Sequence, residues 1–262
     1  MGEQNLDTLA DRVAELIVNA KRVVVFTGAG VSTESGMPDF RSPGGIWERF
    51  DPEDFTYQKL MHSPESRKKW WQIFKERELT TEAEPNQAHL AIAELDKLGK
   101  LDCVITQNVD TLHCKAGLAE DKVFELHGSI RWVVCLSCGK RYPSEQIRAR
   151  LDEGEEIPEC ESCHGILKPE IVLFGEMLPE KVFEEAAHRS SSADLFVVIG
   201  STLIVYPAAN MPIYALESGA KLVIINLSPT PMDDQATVLI RAKAGEVMSK
   251  VIQWVREKVS GL

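Results

Sequence analysis

The chain has 262 residues, of which 44% are hydrophobic and 26% charged, and a formal net charge of −11. That length accommodates one large domain, or one with a small module attached, and the composition is that of a globular protein. The acidic balance argues against tight binding to a nucleic-acid backbone and favours a basic substrate tail, and no apolar run reaches the ~20 residues of a membrane span.

The opening MGEQNLDTLADR lacks the basic-then-apolar order of a signal peptide, and Leu6 stands where a myristoylation signal has Ser or Thr. The expected setting is cytoplasmic and reducing, so the six cysteines read as metal ligands or buried thiols before disulfides. Apolar residues at Leu6, Leu9, Ala10, Val13, Leu16 and Ile17 predict a helix over Leu6–Ala20. Val23–Phe26 is the short β-branched run of a strand buried on both faces, and Thr27-Gly28-Ala29-Gly30 follows at once. The glycines let the backbone turn tightly, and Ser32, Thr33 and Ser35 are candidate caps for a following helix. Strand, glycine turn and helix N-terminus make an anion cradle, so the first reading is a dinucleotide site. The usual fingerprint is not met: the next glycine is Gly36, and no acidic residue ends an obvious second strand to take a ribose hydroxyl. An ordinary dehydrogenase is therefore disfavoured, and on these residues alone a structural glycine turn is an equal alternative.

Pro38 and Ser42-Pro43-Gly44-Gly45 break regular structure. The aromatic and charged segment Ile46–Leu79 reads as short inserted helices, with Trp70 and Trp71 as their core. Pro85–Leu98 predicts an amphipathic helix. Leu101–Thr106 predicts a strand ending in Gln107-Asn108-Val109-Asp110, polar groups at a carboxyl end where open α/β sheets place ligands. Val123–Leu126 is a short strand leading to His127-Gly128-Ser129. Further on, Ile171–Phe174 is apolar, Glu180–Ala187 and Pro207–Ser218 are helical, and Leu195–Ile199 is a buried strand closed by Gly200-Ser201-Thr202. Leu222–Ile225 is a strand ending in Asn226, and Ala244–Val259 is a terminal helix. This alternation predicts an α/β fold with a doubly wound parallel sheet.

Arg131–Pro169 differs in character, carrying four cysteines, turn residues and the acidic run Asp152–Glu156. Cys135-Leu136-Ser137-Cys138 and Cys160-Glu161-Ser162-Cys163 are two CxxC knuckles separated by 21 residues, slightly beyond the usual zinc-ribbon range. Four thiolates suit one tetrahedral structural zinc and leave no open position for substrate. The alternative, four reduced thiols, would leave a segment poor in core residues with little to hold it together. His164 competes as a ligand, less well than the symmetric cysteine set. Cys103 reads as a buried thiol, and Cys114 as either packed or exposed.

Gly28 through Arg41, GAGVSTESGMPDFR, resembles the signature of the sirtuins, the silent-information-regulator family of NAD-dependent protein deacylases, in its prokaryotic form. Thr106–Asp110, Leu126–Ser129, the paired knuckles, Phe174-Gly175-Glu176, Gly200-Ser201-Thr202 and Asn226 fall in the family's order, across roughly residues 10 to 256. Met37, where the family usually has Ile, is a conservative departure. The resemblance implies a Rossmann-like NAD-binding domain over 1–44, 85–130 and 171–262. It also implies a small domain made of a helical insert over 45–84 and a zinc ribbon over 131–170. NAD as co-substrate and an acyl-lysine protein or peptide would meet between them, with no membrane and no direct nucleic-acid ligand. Used as a reagent, NAD loses its nicotinamide, an acyl oxygen captures the ribose carbon, and a general base then activates a ribose hydroxyl.

His127 is the expected base, because an imidazole pKa of ~6.5 suits proton transfer near neutrality. By the same resemblance, Gln107 and Asn108 hold the nicotinamide ribose, and Asp110 receives the nicotinamide amide or, alternatively, caps its loop. Gly28, Ala29, Gly30 and Thr33 belong to the cofactor cradle. Asp39, Phe40 and Arg41 form a cofactor loop, in which Phe40 shields the reacting carbon and Arg41 either approaches the diphosphate or fixes the loop by a salt bridge. Gly200, Ser201 and Thr202 approach diphosphate or ribose, Asn226 the adenosine ribose, and Ala244 the adenine. Val172, Leu173, Phe174, Gly175 and Glu176, facing Val205 and Tyr206, would pair with the substrate backbone as an added strand. His113 reads as orienting its loop, and His62, His89 and His188 as surface or local hydrogen-bonding residues. Relatives that remove succinyl or malonyl groups carry Tyr-x-x-Arg in the insert; here Phe74 and Arg77 have that spacing without the phenol, which favours acetyl or another neutral acyl group. A mono-ADP-ribosyltransferase on the same fold and a non-enzymatic zinc-ribbon adaptor are the competing readings.

Overall fold

The computed structural model describes residues 5–76 and 83–261, so Arg77 of the Phe74/Arg77 pair lies outside the described residues. Its strands are β1 (Val23–Thr27), β2 (Cys103–Thr106), β3 (Val123–Glu125), β4 (Gly128–Cys135), β5 (Arg141–Pro143), β6 (Leu167–Ile171), β7 (Leu195–Ile199), β8 (Lys221–Ile225) and β9 (Val238–Ile240). Its helices are α1 (Leu6–Asn19), α2 (Ile46–Arg49), α3 (Tyr57–His62), α4 (Pro64–Lys75), α5 (Gln87–Lys97), α6 (Leu112–Lys115), α7 (Ser144–Asp152), α8 (Glu180–Ser191), α9 (Met211–Glu217) and α10 (Ala244–Ser260). None of the described helices is long and apolar enough to cross a membrane.

Six strands form a parallel sheet in the order β3-β2-β1-β7-β8-β9. Strand β1 is buried along its whole length because its side chains alternate between two covered faces. Val23 and Val25 join a core with α1, α5 and α10, whereas Val24 and Phe26 join one with α8 and α9. The chain runs outward from β1 through β2 and β3, then returns to build β7, β8 and β9 on the other side. The loops leaving β1 and β7 therefore diverge, and open α/β sheets bind ligands in the crevice this reversal creates.

A second, antiparallel sheet has the order β5-β4-β6. Its residues Val133, Tyr142 and Leu167, with Ile147 and Leu151 of α7, share one core with Ile46, Phe55, Trp70, Trp71, Ile73 and Phe74 of the helical segment. The sequence reading of a cysteine segment with little core is thus corrected: the missing apolar partners come from a segment some sixty residues upstream in the chain. Trp70 also donates its indole N–H to the Asp54 carbonyl at 2.9 Å, which satisfies its polar end inside that core.

Strand β9 and helix α7 are among the elements that escape the periodicity. Strand β9 spans three residues, too few to establish an alternation. Helix α7 buries only Ile147 and Leu151 as apolar residues, one turn apart, among charged neighbours.

Candidate active site

The segment after β1 does not become an α-helix. Two short 3₁₀ turns, Ala29–Val31 and Thr33–Ser35, follow instead, and Gly36 closes the second in a left-handed conformation. The expected capping by Ser32, Thr33 and Ser35 is corrected accordingly. Thr33 bonds back to the Gly30 carbonyl, Ser35 accepts from the Asn86 side chain, and Ser32 turns to Asp110. The glycines serve an interlock between two loops. The Gly30 N–H donates to the Gly200 carbonyl at 2.9 Å, and a Cβ on Gly200 (φ 66°) would sit 2.2 Å from the Val31 nitrogen. Only residues without side chains let the β1 and β7 loops close on one another at the crevice.

A cavity of about 700 Å³ opens above this interlock. Gly28, Ala29, Gly30, Thr33, Asp39, Phe40, Arg41, Gln107, Asn108, His127, Gly200, Ser201, Thr202, Asn226 and Ala244 all line it. Of the expected cofactor residues only Asp110 is set apart, in the wall of a smaller adjoining cavity of about 240 Å³. That second cavity is also lined by Val172, Leu173, Phe174, Gly175, Glu176, Val205 and Tyr206. Ala29, Phe40, Arg41, Gln107, Asn108, His127 and Val205 border both.

His127 lies where β3 hands over to β4. Its Nδ1 is 2.9 Å from the Gln107 carbonyl, which can only accept. The proton therefore sits on Nδ1, and Nε2 carries the free lone pair. Burial lowers the imidazole pKa against the opposing pull of that carbonyl, keeping the ring neutral at pH 7. The space beside Gly128, next to His127, is taken by backbone. At φ 75°, a Cβ there would lie 2.1 Å from the Glu170 carbonyl oxygen, so β6 passes directly against the turn.

Asn108 is tightly held. Its Nδ2 donates to the Gly28 carbonyl (3.2 Å) and to Ser32 Oγ (3.1 Å), and its backbone N–H to Thr106 Oγ1 (3.0 Å). These bonds leave Oδ1 as the acceptor for a ligand. Ser32 Oγ donates to Asp110 Oδ2 at 2.7 Å, and Asp110 Oδ1 accepts the Leu112 N–H, so Asp110 does cap the α6 turn while bordering the smaller cavity. Gln107 accepts from Ser201 Oγ at 2.7 Å. The Asp39 carboxylate accepts from the Arg41 and Ser42 amides and the Ser42 hydroxyl, folding its own loop. Phe40 packs on Trp47 with centroids 5.2 Å apart. Asn226 spends Nδ2 on the Ser228 carbonyl, and the Gly245 amide at the start of α10 is taken by Glu34.

Beneath Asn108 lies a pair of histidines that sequence reading undervalued. His89 makes the expected local hydrogen bond, to the Asn86 N–H, but it is fully buried, and its ring stacks edge-on against His113 at 4.9 Å. His89 Nδ1 accepts the Asn86 N–H, so its Nε2–H points to Ser32, 3.4 Å away. Thr27 Oγ1 gives its hydrogen to Thr106, so His113 must donate Nε2–H to Thr27 at 2.8 Å. The buried Nδ1 of His113 has no hydrogen-bond partner among the described residues, which a bare lone pair tolerates better than an N–H would. The available signal was His89 three residues after Asn86, which completes a capping box. Burial lowers His89 to about 4, opposed by Asp110, and lowers His113 as well. An unfolded histidine takes up its proton near 6.5. Stability is therefore intact above that value and drains away as pH falls toward 4, with His89 alone removing about 3 kcal/mol between pH 7 and pH 4. Urea melts across that range should show the slope, and His89→Gln should reduce it, leaving the part that His113 contributes.

At one end of the three-stranded sheet, Cys135 in the last position of β4 and Cys138, Cys160 and Cys163 in adjoining turns bring their sulfurs within 4.8 Å of one another. Contacts of 3.5 Å (Cys135–Cys163) and 3.7 Å (Cys138–Cys160) fit thiolates around one tetrahedral ion. The Tyr142 hydroxyl, 3.2 Å away, pulls the Cys160 thiol down to about 6, whereas the Cys163 thiol is pushed up to about 12 by its cysteine neighbours, the pattern of close thiols that share protons. His164 is turned out, exposed and beside Glu159, and is not a member of the set. Cys103 is buried and Cys114 half-buried, both with thiol pKa values raised by burial.

The large sheet, the switch-point cavity and the four-thiolate module together define a nucleotide-binding α/β protein with a zinc-ribbon module. The Sir2 family model matches residues 28–207. An NAD-dependent protein deacetylase of Caldivirga maquilingensis is 43% identical over 246 residues, covering 94% of this chain and 93% of that one. A structure described as the basis for the mechanism and regulation of Sir2 enzymes superposes with a TM-score of 0.87 at 41% identity, covering 96% of this chain and 99% of that one. A Sir2 structure bound to an acetylated peptide matches with a TM-score of 0.84 at 37% identity over 92% of this chain and 96% of that one. The chain belongs to the Sir2 family.

Proposed function

We propose that this chain is an NAD-dependent protein-lysine deacylase that transfers the acyl group to ADP-ribose and releases nicotinamide. The observation that carries the reading is His127, set in the wall common to the two cavities with Nδ1–H engaged and Nε2 bare. NAD fits the larger cavity: the glycine interlock keeps its floor free of side chains, and Arg41 and Lys243 are the cations among its described lining residues. Bound there, NAD supplies a glycosidic bond whose cleavage lets the acyl oxygen take the ribose carbon. The protein supplies the rest. Asn108 offers Oδ1 to the ribose, Arg41 and Lys243 face the diphosphate, and Asn226 takes the adenosine ribose where a dehydrogenase uses a carboxylate. His127 accepts the ribose hydroxyl proton on Nε2. Phe40 covers the reacting carbon.

The smaller cavity takes the acyl-lysine. Trp47, Phe55, Val109, Ile171, Leu173, Phe174 and Leu178 make its wall apolar, and Arg41 is its one cation among the described lining residues. A neutral acyl group suits such a wall, whereas a carboxylate-bearing chain would be desolvated without a dedicated partner. The peptide backbone lies along Val172–Glu176. Part of that edge is already engaged, since Val172 donates to the His127 carbonyl and Phe174 pairs with Phe55 and Tyr57.

The test measures nicotinamide release with acetyl-, succinyl- and long-chain acyl-lysine peptides. Release with acetyl, coupled one-to-one to O-acyl-ADP-ribose, and little with succinyl is the expected result. Incorporation of labelled ADP-ribose into protein without an acyl requirement would point to the transferase reading instead, and nucleotide binding without cleavage to the adaptor.

A further inference from the structure

Lys168 in β6 is buried, with its side chain 5% exposed, and lines neither cavity. Its ammonium donates to the Ile171 carbonyl at 2.5 Å and reaches Glu176 Oε2 at 3.1 Å. The same Glu176 oxygen accepts the Leu173 N–H at 2.8 Å, and the Glu176 N–H donates to the Leu173 carbonyl at 3.0 Å. One ion pair, its lysine buried and its glutamate partly exposed, thus ties the beginning, middle and end of segment 171–176. The segment turns at Gly175 and leaves Phe174 half-exposed on the rim of the smaller cavity.

Burying an ammonium is costly, and a methionine of similar length would serve packing alone at least as well. Burial lowers the Lys168 pKa while Glu176 opposes the shift. The bonds of the pair all go to the segment that borders the acyl-lysine cavity, so what the charge provides is shape. A binding edge ordered before its ligand arrives spends less entropy on binding.

We propose that Lys168 is a positioning residue for the acylated substrate: with Glu176 it holds segment 171–176 in the shape that receives the peptide. The inference rests on the reading that this segment contacts the peptide. Because Lys168 touches neither ligand, its loss acts on peptide binding and not on the chemical step.

The test is steady-state kinetics of Lys168→Met with an acetyl-lysine peptide. A rise of about tenfold in peptide KM, with kcat and the KM for NAD within twofold of the parent, is the expected split. A peptide KM within twofold of the parent, or a fall in kcat without a KM change, overturns the proposal. Should K168M fail to fold, Lys168→Gln, which removes the charge that pairs with Glu176 and leaves Glu176 itself in place, is read for the same split. Phe174→Ala separates the two readings. If F174A raises the peptide KM and the Lys168 variant does not, only the tether is wrong. If neither changes it, the placement of the peptide on this segment falls too.

Discussion

Replacement of His127 by alanine is expected to lower kcat for nicotinamide-coupled deacylation ~10²–10⁴-fold, the range a positioned general base contributes. The loss should be confined to catalysis. His127 bonds its neighbours through Nδ1 and the Gln107 carbonyl, and the Gly28–Gly200 interlock does not involve its side chain. NAD binding, metal content and melting temperature should therefore stay near those of the parent protein. The pH profile gives an independent check. The base must be neutral, and burial sets its pKa below the ordinary 6.5. Activity should thus be full at neutral pH and decline on acidification with a midpoint below that value. An acid limb centred above 6.5, or substantial turnover by H127A, would assign the proton to another group.

Removal of zinc is the second large effect. A four-thiolate site contributes on the order of 10 kcal/mol to a small metal-dependent fold. One ion per chain should be released by a strong chelator, and Cys138→Ser should lower metal content in the same way. In this chain the loss travels. Strand β4 begins at Gly128, directly after His127, and ends at Cys135, a ligand. Its core is common to the helical segment that carries Trp47 and Phe55. Chelation should abolish activity and expose Trp70 and Trp71 to solvent, read as a red shift in fluorescence. The six-stranded sheet, with two cores of its own, should keep its helical circular dichroism. Retained activity in the zinc-free protein would contradict this coupling.

The centre of the parallel sheet was legible because β1, β2, β7 and β8 are short runs of mostly apolar residues, each followed by glycine or a polar group. The cofactor wall was legible because those strand ends carry the ligand groups. The thiolate set was legible from the spacing of its knuckles. What escaped were contacts made at long range. His89 looks ordinary on α5 until the fold sets its ring beside His113 and beneath Ser32. Ser32 looks like a helix cap until Asp110, seventy-eight residues on, takes its proton in a hydrogen bond. Lys168 reads as one more charge beside a proline until the fold buries it. The shared core of insert and ribbon was hidden for the same reason, since neither segment alone shows enough apolar residues to announce it.

The wall between the two cavities has a thermodynamic consequence. Phe40, Arg41, Asn108 and His127 belong to both compartments, so a rearrangement that suits one occupant changes the binding free energy of the other. Linkage requires this influence to be mutual: whatever factor the peptide applies to the affinity for NAD, NAD applies to the affinity for the peptide. The cell's NAD level would then set how much acylated protein the enzyme holds as well as how fast it turns over, making cofactor supply a control on substrate capture.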